Sequence, residues 1–193
     1  MRLFVSIELP EKIKASIDGL IEEMKLKLTP VKWVEDKNLH ITLKFLGWVD
    51  DKRLKELTAL IKRTVKGFGK FDLGFKGMGL FPAEGRPRVI WVDLCKGEDK
   101  VKSLGDKIED EAAKEGFREE EREFTPHLTI GRIKEKVDVE ALKKFIKKVS
   151  GSDFGSFKVE KISLMKSTLR RTGPIYEELE QINLNPTRLT TAR

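Results

Sequence analysis

Apolar residues recur along this chain in two rhythms, and the rhythms divide it into strands and helices. The run from Arg2 to Leu9 alternates and is rich in apolar side chains, which predicts a strand. Pro10 follows where a helix would begin, and Ile13, Ile17, Leu20, Ile21, Met24 and Leu28 then recur at helical spacing. Leu39 to Leu46 reads as a strand. Asp50 and Asp51 can cap a helix carrying Leu54, Leu57, Leu60, Ile61 and Val65. Phe71, Leu73 and Phe75 alternate as in a strand, with turns expected among the glycines of GFGKFDLGFKGMG, and Arg88 to Leu94 gives another strand.

The second half repeats this order. Val101, Leu104, Ile108 and Ala112 mark a helix ending near Gly116, Leu128 to Ile130 a strand core, and Val139, Leu142, Phe145, Ile146 and Val149 a helix. Phe157 to Met165 and Tyr176 to Leu184 read as strands. Offsets of 88, 86 and 87 residues relate Ile13 to Val101, Phe71 to Phe157 and Pro87 to Pro174, which suggests an internal duplication with units of about 10–95 and 98–184. The expected fold is α+β. It has two lobes with pseudo-twofold symmetry, each an antiparallel sheet backed by helices, with a groove between them. Residues 1–185 form one domain in this reading, and the tail 186–193 is expected to fray.

Composition narrows the class. The chain has 193 residues, 39% hydrophobic and 37% charged, which indicates a folded domain rather than a disordered one. No apolar run approaches the roughly 20 residues of a membrane span. Cys95 is the sole cysteine, so an internal disulfide is excluded, a Cys-based metal site is implausible, and the cytoplasm is the default location. A net charge of +7 suits an anionic partner such as RNA, or simply a solvated lysine-rich surface. Abundant Lys and Glu with one Gln and three Asn resemble the composition of a thermophile's protein.

The candidate chemistry lies in the only two histidines, in HITLKFLG and in HLTIGR, 87 positions apart. Each has Thr two places on. With eleven threonines in the chain, two such matches by chance come to roughly 0.3%. Strand parity puts His40 with Thr42 on one face and His127 with Thr129 on another, opposite the apolar Ile41, Leu43, Leu128 and Ile130. Two imidazoles across one groove would form an acid–base pair able to act near neutral pH. A zinc site would need further ligands, for which the dispersed carboxylates show no spacing.

Lys44 shares the His40 face by parity and is a candidate for the RNA backbone or for plain solvation. Phe45 by the same parity points to the core, with stacking on a base as the alternative. Arg132 points away from His127 by parity, unless Gly131 allows a bulge that turns it back towards a phosphate. Trp33, Trp48 and Trp91 are assigned to packing, with platforms for stacked bases as the alternative. Arg86, Arg88, Arg170 and Arg171 fall in corresponding loops, at a groove rim or merely in solvent.

The tandem H-x-T pattern, with MRLFVSIELP, WVEDKNLHITLKFLG, FPAEGRPRVIWV, TPHLTIGR and SLMKSTLRRTGPIYEEL in this order, resembles the RNA 2′,3′-cyclic phosphodiesterase / 2′-5′ RNA ligase family of two-histidine phosphoesterases. The resemblance implies a bilobal enzyme that needs neither metal nor cofactor. It would open a terminal 2′,3′-cyclic phosphate to a 2′-phosphate. By resemblance His40 is the proton donor to the 3′-oxygen and His127 the acceptor from water, an assignment that is open to reversal, while Thr42, Thr129 and Arg132 hold the phosphate. A 5′-hydroxyl in place of water would give a 2′-5′ linkage. The implied partners are RNAs with 2′,3′-cyclic phosphate or 5′-hydroxyl ends, tRNA halves among them, and the expected state is a monomer. The alternatives are a non-enzymatic RNA-binding protein and a phosphodiesterase for a small cyclic nucleotide.

Overall fold

The computed structural model describes residues 1–28, 31–121, 123–171 and 173–186. The expected fraying of the tail falls on residues 187–193, outside the described residues. The chain runs β1 (Arg2–Glu8), α1 (Glu11–Lys25), β2 (Val31–Trp33), β3 (His40–Trp48), α2 (Leu54–Val65), β4 (Phe71–Phe81), β5 (Val89–Lys96) and α3 (Glu98–Lys114). It continues with β6 (Leu128–Ile133), α4 (Val139–Val149), β7 (Asp153–Val159), β8 (Lys161–Leu169) and β9 (Pro174–Asn183).

Helix starts follow the local chemistry. Pro10 is the N-cap of α1, and the Asp138 side chain caps α4 by accepting from the Ala141 N–H at 3.0 Å. Asp50 caps a short 3₁₀ turn that leads into α2, accepting from the Lys52 N–H at 2.9 Å. Each helix buries one apolar stripe, such as Ile13, Ile17, Leu20, Ile21 and Met24 of α1.

Two antiparallel sheets result, of order β3-β1-β8-β9 and β2-β6-β5-β4-β7. This is the two-lobed α+β architecture. A repeat read along the chain is not a lobe, however. The first sheet takes β1 and β3 from the first half and β8 and β9 from the second. The helices cross as well: α3 packs on β3, while α1 packs on β7. One continuous apolar core runs through both lobes, from Leu3, Val5 and Ile7 to Leu128, Ile130 and Leu164.

Two expectations need correction. The apolar stretch from Phe157 to Met165 is not one strand: it straddles β7 and β8, which break at Glu160. The glycine-rich segment opens on a turn at Lys66–Gly67, as expected, but from Phe71 it is one long strand, β4, whose register shifts between Phe75 and Met78, so the glycines within the strand fall at a bulge rather than in further turns. The short strand β2 had no signal of its own; three residues are too few for a periodicity to show.

Candidate active site

His40 opens β3 and His127 stands immediately before β6. Each ring is fixed in the same way. His40 Nδ1 donates to the carbonyl of Asn38 at 2.8 Å, and His127 Nδ1 donates to that of Thr125 at 2.7 Å. A carbonyl only accepts, so Nδ1 carries the proton in both rings. The Nε2 atoms are left for chemistry. Thr42 Oγ1 lies 3.1 Å from His40 Nε2. Asn38 is itself tied to the far edge of that sheet, its amide donating to the Pro174 carbonyl at 3.4 Å.

Aromatic rings wall both imidazoles. The Phe4 ring centroid is 5.0 Å and the Tyr176 centroid 5.1 Å from that of His40. Phe81 is 5.3 Å and Trp91 6.4 Å from His127, both edge-on. Trp91 lies flat over Gly79 of the neighbouring strand, where any Cβ would overlap its ring.

This enclosure sets the electrostatics. Burial pushes His40 from 6.5 down to about 4, against the Asn38 hydrogen bond and helped by the positive charge of Arg132. Burial also pushes His127 down, again opposed by its carbonyl partner and assisted by Arg132. The Tyr176 hydroxyl is pushed up by burial, with Arg132 and Arg2 opposing. Arg132 thus acts on His40, His127 and Tyr176 at once. Both rings are neutral near pH 7.

Strand parity misplaces three residues, all for one reason. In β3 the pairing with β1 runs Ser6 to Thr42 and then Val5 to Lys44, so Leu43 is an extra residue. In β6 the pairing with β5 runs Trp91 to Thr129 and then Ile90 to Gly131, so Ile130 is extra. Each bulge sits three residues after its histidine and reverses the parity beyond it.

Arg132 is therefore exposed on the face of Thr129, as the conditional bulge at Gly131 anticipated. Phe45 does not point into the core: it is 43% exposed and its centroid is 6.0 Å from that of Phe4, on the His40 face. Lys44 corrects the expectation of an RNA-facing or solvated amine. Its side chain is 0% exposed, and Nζ donates to Glu109 Oε2 at 2.6 Å and to the Arg118 carbonyl at 2.7 Å. Trp48 corrects the packing assignment, being 84% exposed. Arg86, Arg88, Arg170 and Arg171 are exposed.

Among the described residues no three His, Cys, Asp or Glu side chains gather to hold a metal ion, and no helix is long and apolar enough to cross a membrane.

The pattern has known counterparts. A family model described as the 2′-5′ RNA ligase superfamily matches residues 10–171. The chain belongs to that superfamily. A Methanocaldococcus jannaschii protein named RNA 2′,3′-cyclic phosphodiesterase is 40% identical to it over 181 residues, covering 94% of this chain and 99% of its own. A Thermotoga maritima protein of the same name is 35% identical, with 93% of each chain covered. The crystal structure of TT0787 of Thermus thermophilus superposes with a TM-score of 0.82 at 27% identity, covering 97% of this chain and 100% of that one. Escherichia coli LigT complexed with 3′-AMP gives 0.74 at 25% identity, covering 95% and 97%.

In this superfamily member the sequence patterns single out the histidines and threonines but miss the walls. Phe4 and Tyr176 lie far apart in the chain and meet His40 only through the β1–β8–β9 order. The signals available for Tyr176 were that it is the sole tyrosine and that it lies in SLMKSTLRRTGPIYEEL, one of the stretches that carry the resemblance.

Proposed function

We propose that this protein hydrolyses the terminal 2′,3′-cyclic phosphate of RNA to a 2′-phosphate, with the two imidazoles as acid and base. The observation that carries this reading is the matched pinning of both Nδ1–H groups on backbone carbonyls, which leaves both Nε2 atoms for proton transfer. Relatives named RNA 2′,3′-cyclic phosphodiesterase, at up to 40% identity over nearly the whole chain, support the same substrate class.

His127 Nε2 takes a proton from water as the water oxygen bonds to phosphorus. The bond from phosphorus to the 3′-oxygen breaks, and His40 Nε2 supplies the proton to that oxygen. His40 begins the step protonated, with the phosphate anion as its counter-charge. Thr42 and Thr129 donate their hydroxyl hydrogens to the non-bridging oxygens, and Arg132 offsets the charge that grows on them. No step calls for a metal. When a 5′-hydroxyl replaces water, the same transfers yield a 2′-5′ linkage, so tRNA halves fit as substrates.

The test is product identity. An oligoribonucleotide ending in a 2′,3′-cyclic phosphate should be converted to the 2′-phosphate, seen by phosphorus NMR, at a rate that EDTA leaves unchanged. A 3′-phosphate product would overturn the assigned bond, and loss of rate in EDTA would overturn the metal-free mechanism. Salt-sensitive RNA binding with no turnover would instead indicate a binding protein.

A further inference from the structure

The face of the first sheet that carries His40 continues past the catalytic residues. Cross-strand pairs run Glu8 with His40, Ser6 with Thr42, Phe4 with Phe45 and Arg2 with Trp48. A second bulge, at Leu46, keeps Trp48 on this face, and Gly47 adopts φ +71 there, a conformation that side chains rarely tolerate. Phe45 and Trp48 both line a depression of about 440 Å³, with Arg2, Arg53 and Arg118 on its walls. That volume is in the range of small-molecule sites.

Its chemistry is that of single-stranded nucleic acid binding, an exposed aromatic face beside cations. Trp48 is 84% exposed, although a side chain of this size is costly to leave in water without a use. Among the described residues no ion pair or hydrogen bond is made by the Arg2 or Arg118 guanidinium. Arg53 is committed to Glu56, to the Glu115 carbonyl and to the Phe117 ring. Asp50 and Glu120 also lie on the wall, and the Asp50 carboxylate is turned to the Lys52 N–H. Arg2 also opposes the rise of the Tyr176 hydroxyl, which places its charge near the wall of His40.

We propose that this depression is a second nucleotide subsite, in which the base of the nucleotide 5′ to the reacting one stacks on Trp48 while Arg2 and Arg118 hold the linking phosphate. The step from Phe4 to Arg2 along β1 is two residues, roughly 7 Å, about one nucleotide of an extended strand. The site rests on the reading of the groove as a cyclic phosphodiesterase, and it makes that enzyme one for RNA ends rather than for mononucleotides.

The test compares kcat/KM for an adenosine dinucleotide ending in a 2′,3′-cyclic phosphate with that for adenosine 2′,3′-cyclic phosphate. One stacked base corresponds to a preference of about fivefold to a hundredfold for the dinucleotide. Trp48→Ala should cut that ratio at least fivefold through KM, Trp48→Phe should keep most of it, and Arg118→Ala should reduce it through the linking phosphate. A wild-type ratio near one, or an unchanged ratio in Trp48→Ala, overturns the subsite. Binding is read separately by titrating the dinucleotide into the His40→Ala/His127→Ala protein. Quenching of tryptophan fluorescence that disappears with Trp48→Ala supports the subsite even if the wild type turns nothing over, an outcome that would sink only the catalytic reading. No quenching attributable to Trp48 overturns it.

Discussion

At His40 the structure joins a fixed tautomer to a depressed proton affinity. The Asn38 carbonyl decides which nitrogen carries the proton, and the enclosing Phe4 and Tyr176 rings disfavour a second one. Because the folded value of about 4 lies below the ordinary 6.5, the unfolded chain binds the extra proton first. The contribution of neutral His40 to stability is thus complete above pH 6.5 and is lost as pH falls towards 4. Its size is at most about 3 kcal/mol. Urea unfolding across this range should show the decline, with a shallower slope in His40→Asn and with phosphate reducing the loss. A slope unaffected by the substitution would contradict the burial argument. The two histidines and their threonines were legible in the sequence because a pattern of two residues survives any fold. The aromatic walls were not, since strands far apart in the chain supply them.

At the scale of elements, the matched bulges organise the site. Leu43 and Ile130 are each an extra residue three places after a histidine, so both strands turn a residue back to the groove, Phe45 in one and Arg132 in the other. A period-two pattern cannot reveal an inserted residue, which is why parity failed for Phe45 and Lys44 while the strands themselves were read correctly. The same bulge drives Lys44 inward, where it ties the His40 strand to α3 through Glu109 and to the Arg118 carbonyl. Lys44→Ala would leave the Arg118 carbonyl without its side-chain donor and Glu109 with only the Glu120 N–H, and should lower unfolding stability by roughly 3 kcal/mol. An unfolding free energy from urea titration that falls by less than a tenth of this would show the pair to be dispensable.

The whole molecule explains why the two site halves meet. Each sheet draws strands from both halves of the chain, and α1 and α3 pack across the lobes, so one core fixes the groove. Apart from β2 and the break between β7 and β8, element order was readable from periodicity, but this exchange was not, because alternation along a strand carries no information about its neighbours. Ion pairs stud the surface, and in one group Glu23 holds both Lys27 and Lys148. Such networks gain weight at high temperature. The thermal midpoint should lie above the roughly 45–65 °C of mesophilic domains. A calorimetric midpoint near 50 °C would contradict the thermophilic reading of the composition.

The central claim is that two pinned imidazoles perform one phosphoryl reaction as acid and base. Its most direct measurement is kcat for hydrolysis of a 2′,3′-cyclic phosphate RNA end by His40→Ala and by His127→Ala. Each should lose a factor of about 10²–10⁴ while the far-UV circular dichroism is unchanged. A wild-type rate in either folded variant would contradict the account.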